Sequence, residues 1–350
     1  MKTFRCVCNN QLFFGNTVCL ACQREAVFCP RCREVTSLVP NDDGTFHCGK
    51  ESCAAHLQKC HNYVTEFVCN GGIEISDDPE QQQTLCEHCR LTEVIPDLTI
   101  EGNRELWARL EDAKRRVLYT IELLNLPIGR TENDVEPKLV FDFEADLDTP
   151  VYTGHDNGRI IINIREADDV EREKARVAFR EPQRTLVGHF RHELGHYYWD
   201  TLIKGQREEE YRALFGDERS PDYDTALAAY YQNGPAADWQ GNYISAYATM
   251  HPWEDFAETF GTYLDLVSIL DTARHRNGRD FRGQDCAKLL AEYQQVGILA
   301  NELNREMGLK DLVPEVFGPK VAEKICYVHR LVANAGASTK DEKRLTAATA

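Results

Sequence analysis

The sequence predicts an α+β protein in two parts, a small β module at the N-terminus followed by a mainly helical domain with a small β-sheet. Three observations predict it. Twelve of the fourteen cysteines fall before residue 90, in a stretch rich in Gly and polar residues. Beyond that stretch, long segments place apolar residues at helical spacing. Two short runs there, Lys138–Glu144 (KLVFDFE) and Gly158–Ile164 (GRIIINI), read as strands. With 350 residues and 42% hydrophobic side chains, the second part has enough material for a core of its own. The chain therefore divides into 1–95, 96–333 and a polar, Ala- and Thr-rich tail, 334–350, expected to be disordered. The break lies in Arg90–Thr99.

The cysteines fall into three tetrads with metal-ligand spacing. Cys6-x-Cys8 joins Cys19-x-x-Cys22, and Cys29-Pro30-Arg31-Cys32 joins Cys48 and Cys53. Cys60 and Cys69 join Cys86-x-x-Cys89, where His56, His61 or His88 could replace one thiolate. Four thiolates are a structural zinc set. A stretch with so few core residues needs such staples to fold. Disulfides are the competing use of cysteine. The chain opens Met1-Lys2-Thr3-Phe4-Arg5-Cys6, with no apolar signal segment, and no run approaches the ~20 apolar residues of a membrane span. The expectation is a cytoplasmic protein with no membrane partner, whose thiols bind metal.

Charge bears on partners. The chain carries 57 acidic and 40 basic residues, a net −17. Residues 1–90 hold 8 Lys+Arg and 11 Asp+Glu, a net −3, and three zinc tetrads at −2 each bring that to about −9. Phosphate binding draws on Lys and Arg, and no basic stripe is present. Nucleic acid is not expected. The Cys-rich module is expected to hold the fold or to engage a protein partner or substrate.

In the second part, Asn103–Leu124 reads as a helix through Leu106, Trp107, Leu110, Ala113, Val117, Leu118 and Ile121. Its basic run Lys114-Arg115-Arg116 reads as solvated surface. Asp156-Asn157-Gly158, between Val151-Tyr152 and Arg159-Ile160, is a hairpin turn. Glu181–Lys204 reads as a helix that starts at Glu181-Pro182 and repeats apolar residues from Leu186 to Leu202, until Gly205. A polar insert with several Tyr residues fills 205–241. A last helix is expected over Pro319–Val332.

Mid-helix stands His192-Glu193-Leu194-Gly195-His196. Residues four apart share a helical face, so both imidazoles can reach one Zn²⁺ with Glu193 beside the water it activates. Two histidines leave a tetrahedral ion short of a third protein ligand. A metzincin would place it six residues beyond His196, where Leu202 stands. A distant Asp is possible, and Asp200 is too near on the same helix. The other source is the helix of Pro252-Trp253-Glu254-Asp255-Phe256-Ala257-Glu258, which stacks two carboxylates four apart. There Glu254 binds metal and Glu258 accepts the far N–H of a ligand histidine. Glu193 then acts as general base on a zinc-activated water. His189, one turn earlier, is not needed as a ligand.

These residues resemble the gluzincin metallopeptidases, including thermolysin-like enzymes and the anthrax lethal factor protease. There the first Glu of E-x-x-A-E is the third ligand and the acidic residue four later orients a histidine, positions matched by Glu254 and Glu258. Lethal-factor-like enzymes carry a Tyr seven residues before the ligand Glu, and Tyr247 has that offset. The resemblance makes Tyr247 the first choice for the oxyanion donor, ahead of His251 and Tyr243. The gap from His196 to Glu254 is wider than in thermolysin. More closely, Gly188–Asp200, His251–Glu258 and the Cys-rich start look like the bacterial zinc-binding metallopeptidases with an N-terminal zinc-ribbon, over roughly residues 1 to 332. The resemblance implies one catalytic and about three structural zinc ions, a peptide or protein substrate, and an edge strand near Ile160–Ile164 that pairs with substrate. The alternative is a non-catalytic module that binds peptide on the same fold.

Overall fold

The structure, a computed structural model, describes residues 1–76, 78, 81–129, 135–146, 149–178, 185–277 and 284–348, with side chains described as far as 337 except at 178, 276 and 277. It forms two compact units. The first takes in Met1–Leu118, Val140–Thr153 and Ile161–Leu186; the second takes in Tyr119–Leu139, Gly154–Ile160 and Val187–Ala350.

The first unit begins with a two-stranded ribbon, β1 (Phe4–Arg5) and β2 (Gln11–Leu12). A five-stranded antiparallel meander follows: β3 (Ala26–Cys29), β4 (Glu34–Pro40), β5 (Phe46–Cys48), β6 (His56–Lys59) and β7 (Gly72–Glu74), with the short α1 (His61–Val64) before β7. The core of this meander is unusual in composition. Val27, Leu38, Leu57, Tyr63 and Ile73 bury against Cys29, Cys48, Cys60, Cys69, Cys86 and Cys89. Sulfur supplies much of what aliphatic side chains supply elsewhere, so the module leans on whatever those thiols bind.

The run expected to be a plain break contains a strand, β8 (Thr92–Val94), which pairs in parallel with β9 (Val140–Glu144). Between them runs α2 (Asn103–Leu123), burying Trp107, Leu110, Ala113, Val117, Leu118 and Ile121 as its periodicity predicts. Its basic run is not solvated surface. Lys114 is fully buried, its Nζ 2.9 Å from Glu111 and 5.6 Å from the centres of both the Phe141 and Phe143 rings. Arg115 is buried with its Nη1 donating to Asn70 Oδ1 at 2.5 Å. Periodicity marks these positions inward, and each buried cation has a carboxylate or amide to meet, which is the condition for burying charge. Arg116 remains half-exposed and pairs with Asp112. The helix α3 (Asp169–Ala178) closes this part of the chain.

The strands β10 (Gly154–Asp156) and β11 (Arg159–Asn163) form the expected hairpin, with Asn157 and Gly158 at φ 45° and 85°. Two successive left-handed residues make the tight hairpin turn. The sheet order is β10–β11–β9–β8. Strand β11 thus has a neighbour on each side, so its main chain has no free edge and the expected pairing of substrate with Ile160–Ile164 falls. The turn signal fixed the hairpin but placed the first strand at Val151-Tyr152, short of its true position.

The second unit is helical: α4 (Leu186–Leu202), α5 (Glu208–Phe215), α6 (Tyr223–Asn233), α7 (Trp239–Asn242), α8 (Pro252–Asn277), α9 (Cys286–Glu306) and α10 (Pro319–Ala348). The predicted start at Glu181-Pro182 lies outside the described residues. Helix α10 runs through the stretch expected to be a disordered tail from 334. That stretch holds five alanines and two lysines, strong helix formers, and contains no Pro. Cys286 and Cys326, left over from the tetrads, join α9 to α10 in a disulfide. Disulfides persist in oxidising surroundings, so this pair runs against the reducing compartment expected from the front end. No described helix is long and apolar enough to cross a membrane.

Candidate metal centres

All twelve N-terminal cysteines are free thiols gathered in the three predicted sets: Cys6, Cys8, Cys19 and Cys22; Cys29, Cys32, Cys48 and Cys53; Cys60, Cys69, Cys86 and Cys89. No histidine replaces a thiolate in the third. The sulfurs of Cys8 and Cys19 lie 3.7 Å apart, those of Cys29 and Cys53 3.8 Å, and those of Cys69 and Cys86 3.7 Å. A disulfide needs about 2.05 Å. A tetrahedral ion about 2.3 Å from each sulfur separates the sulfurs by about 3.8 Å. The spacing therefore suits a metal in each set.

The third tetrad is the most deeply buried, and two backbone N–H groups support it. Gly71 donates to Cys69 Sγ at 3.0 Å and Cys86 donates to Cys60 Sγ at 3.2 Å. A Cβ on Gly71 would stand 2.5 Å from Cys86 Sγ and 2.7 Å from its Cβ. Neither atom can retreat without opening the tetrad. Gly71→Ala is therefore expected to lose the metal of this site and to unfold part of the meander, read as one fewer zinc per chain by elemental analysis.

A fourth centre forms where α4 meets α8. Gly195 makes the approach possible: a Cβ there would lie 2.6 Å from Ala257 Cα and 2.9 Å from its carbonyl oxygen. Gly261, one turn on, continues the seam, its would-be Cβ 3.5 Å from Arg191 backbone. Arg191 and Asp265 add an ion pair between the helices. This close contact brings His192 and His196 over Glu254.

The donor atoms of these three residues lie within 4.8 Å of one another. The two Nε2 atoms are 3.2 Å apart, and Glu254 Oε2 is 3.0 Å from His192 Nε2 and 3.5 Å from His196 Nε2. An ion about 2.1 Å from each, at tetrahedral angles, sets donors about 3.4 Å apart. Glu254 Oε2 is buried without a hydrogen-bond partner, so the oxygen aimed at this point is the one left unsatisfied. A buried carboxylate oxygen without a donor is costly, and a cation meets that need. The residues fit a zinc ion.

Neighbouring side chains hold these three residues in place. Glu258 Oε1 lies 2.6 Å from His192 Nδ1. Burial works against charge on Glu254 and Glu258, but the His196 and His192 imidazoles hold Glu254 well below the usual carboxylate range and His192 keeps Glu258 lowered too. Burial likewise opposes charge on His192, yet Glu254 and Glu258 draw its proton affinity well above the usual value. Trp253 packs on His196 with ring centres 3.7 Å apart.

Glu193 is buried beside this centre without belonging to it. Burial raises its carboxyl pKa, with Glu254 adding to the effect and the histidines opposing it. Tyr247 stands with its ring 6.1 Å from His192, and burial and Glu254 push its phenol up, so it stays protonated. His251 is committed on both nitrogens: Nδ1 accepts from the Trp253 N–H at 3.2 Å, and Nε2 lies 3.0 Å from the Glu218 carbonyl. It has no proton free for a substrate. Tyr243 carries the Lys324 ammonium over its ring at 4.3 Å. His189 lies outside the ligand group.

Two residues at this site escaped the sequence reading. Tyr223, from the 205–241 insert, donates its phenol proton to Glu254 Oε1 at 2.8 Å. His155, on β10, stacks on His196 with ring centres 6.4 Å apart. Its Nε2 accepts from the Gly158 N–H at 3.0 Å, and burial first, then His196, pushes its pKa down to about 4. It is neutral at pH 7 and adds no charge beside the ligands. Only the hairpin turn signal hinted at its location.

Residues 103–331 match the family model described as "Putative zinc-binding metallo-peptidase", and residues 3–100 match that of a zinc-ribbon domain. Among curated proteins, uncharacterized proteins of Mycobacterium bovis and of two Mycobacterium tuberculosis strains are each 35% identical over 345 residues, covering 95% of this chain and 95% of theirs. No solved structure matches the chain.

Proposed function

The chain belongs to the zinc-binding metallopeptidase family, with a zinc-ribbon domain at its N-terminus, and from that premise we propose that it hydrolyses peptide bonds. The observation that carries this reading is the placement of Glu193, a buried carboxylate beside three converging ligands yet outside their set. A binding module has no use for it there. In this reading His192, His196 and Glu254 hold the catalytic zinc, and the three tetrads hold structural ions. An ion held by His192, His196 and Glu254 would supply Lewis acidity that makes a water easier to deprotonate near neutral pH.

Glu193 takes the proton of the attacking water at its carboxylate and passes it to the leaving amine. Its raised pKa brings it closer to the operating pH, where a general base works best. Tyr223 has committed its proton to Glu254, whereas the phenol of Tyr247, which burial and Glu254 keep protonated, can turn its proton to a developing oxyanion. The zinc-ribbon tetrads maintain the front end and present it to a protein substrate or partner. A library of unstructured peptides read by mass spectrometry tests the activity. New termini that vanish when one zinc is chelated are the expected result; an unchanged library with four zinc ions bound would leave only the non-catalytic alternative.

A further inference from the structure

The helix α6 has little hold of its own: of its residues, Ala226 alone is fully buried. Its anchors are rings that meet the metal centre. Tyr223 lies 5.4 Å from His251 and 5.8 Å from Trp253, and Tyr230 lies 5.8 Å from Tyr247. The Tyr223 phenol reaches further, donating to Glu254 Oε1 at 2.8 Å. The two oxygens of Glu254 are thus divided, one bonded to Tyr223 and the other aimed without a partner at the histidine nitrogens.

We propose that Tyr223 is a positioning residue for the metal centre: it holds Glu254 by one oxygen so that the other is offered to the ion, and through that bond metal loading tightens α6. The proposal rests on reading His192, His196 and Glu254 as ligands. The terminal torsion of a Glu side chain is broad, so a carboxylate free at both oxygens turns easily and offers an ion one oxygen or both. A hydrogen bond to Oε1 removes that freedom before the ion arrives. Partners of this kind commonly account for about 10- to 100-fold in metal affinity. Linkage is reciprocal, so what Tyr223 gives to metal binding, metal binding returns to the seating of Tyr223 and of the helix that carries it. The insert between the two ligand-bearing helices is in this way part of the metal site.

Tyr223→Phe tests the proposal in the full-length chain. It keeps the ring, and with it the contacts to His251 and Trp253, and removes one oxygen. Zinc competition with a chromogenic chelator should show the ion that is absent from His192→Ala bound about 10- to 100-fold more weakly, with the tetrad ions unchanged. Hydrogen exchange gives a second reading that a merely structural tyrosine would not move. Amides of 223–233 should exchange more slowly in the zinc-loaded wild type than after chelation, and this difference should vanish in Tyr223→Phe. Helix α5, anchored by buried Tyr211 and Phe215, is the internal control. Wild-type affinity in Tyr223→Phe, with α6 still responding to zinc, would overturn the proposal. If that variant does not fold, the wild-type pair decides: exchange in α6 indifferent to zinc is fatal. If His192→Ala loses no ion, the ligand assignment fails and the proposal with it. Neither readout uses peptide cleavage, so failure of the peptidase reading leaves these results standing.

Discussion

Glu193→Gln is expected, on the proposed peptidase reading, to lower peptide hydrolysis by about 10²- to 10⁴-fold, the usual contribution of a positioned general base, and to leave the zinc content unchanged. Gln matches Glu in shape but cannot take a proton from water at neutral pH. The residue lies outside the group of His192, His196 and Glu254, so an ion held there should stay. Stability sharpens the expectation. Burial raises the Glu193 pKa, which means that its ionised form is penalised in the folded chain. A neutral amide escapes that penalty, so the variant should melt no lower than wild type at pH 7. A carboxylate kept for folding would show the opposite. Steady-state kinetics and thermal unfolding on one preparation read both. Full activity in Glu193→Gln would remove the residue from the chemistry.

Gly195→Ala is the second large effect, and here two terms oppose each other. Ala gains roughly 0.5–1 kcal/mol over Gly in a helix interior. Its Cβ, however, would stand 2.6 Å from Ala257 Cα and 2.9 Å from Ala257 O, both rigid backbone atoms. Overpacking typically costs about 1–3 kcal/mol, and here relief requires α8 to move off α4. The clash should win, so the midpoint falls. The same displacement carries Glu254 away from His192 and His196, so an ion held by these three residues should bind more weakly as stability falls, though none of the three is substituted. A stabilised variant with normal zinc affinity would show that the two helices do not meet as closely as described.

Much of this site can be read in the order of residues because its parts are local. The i, i+4 histidines and the Glu254/Glu258 pair each need only helical geometry, and the three cysteine sets need only short knuckles. Gly195 also sits inside the motif, but its purpose shows only once Ala257 lies opposite. Tyr223 could not be read, because nothing in a helical period says which residue 31 positions away a phenol will meet. The same holds for His155 against His196, for the place of β11 between two strands, and for the Cys286–Cys326 bond: each is a pairing between distant segments. In the basic run of α2, helical position outweighs charge in deciding which side chains are buried. Lys114 follows the buried face of its helix and finds Glu111 one turn earlier.

Whether α4 and α8 together hold a fourth ion, apart from three in the cysteine tetrads, is decided by counting zinc in the intact chain by native mass spectrometry. Wild type is expected to carry four ions and His192→Ala/Glu254→Ala three, with the far-UV spectrum retained. Four ions in the double variant, or three in wild type with no change on substitution, would contradict a fourth ion there.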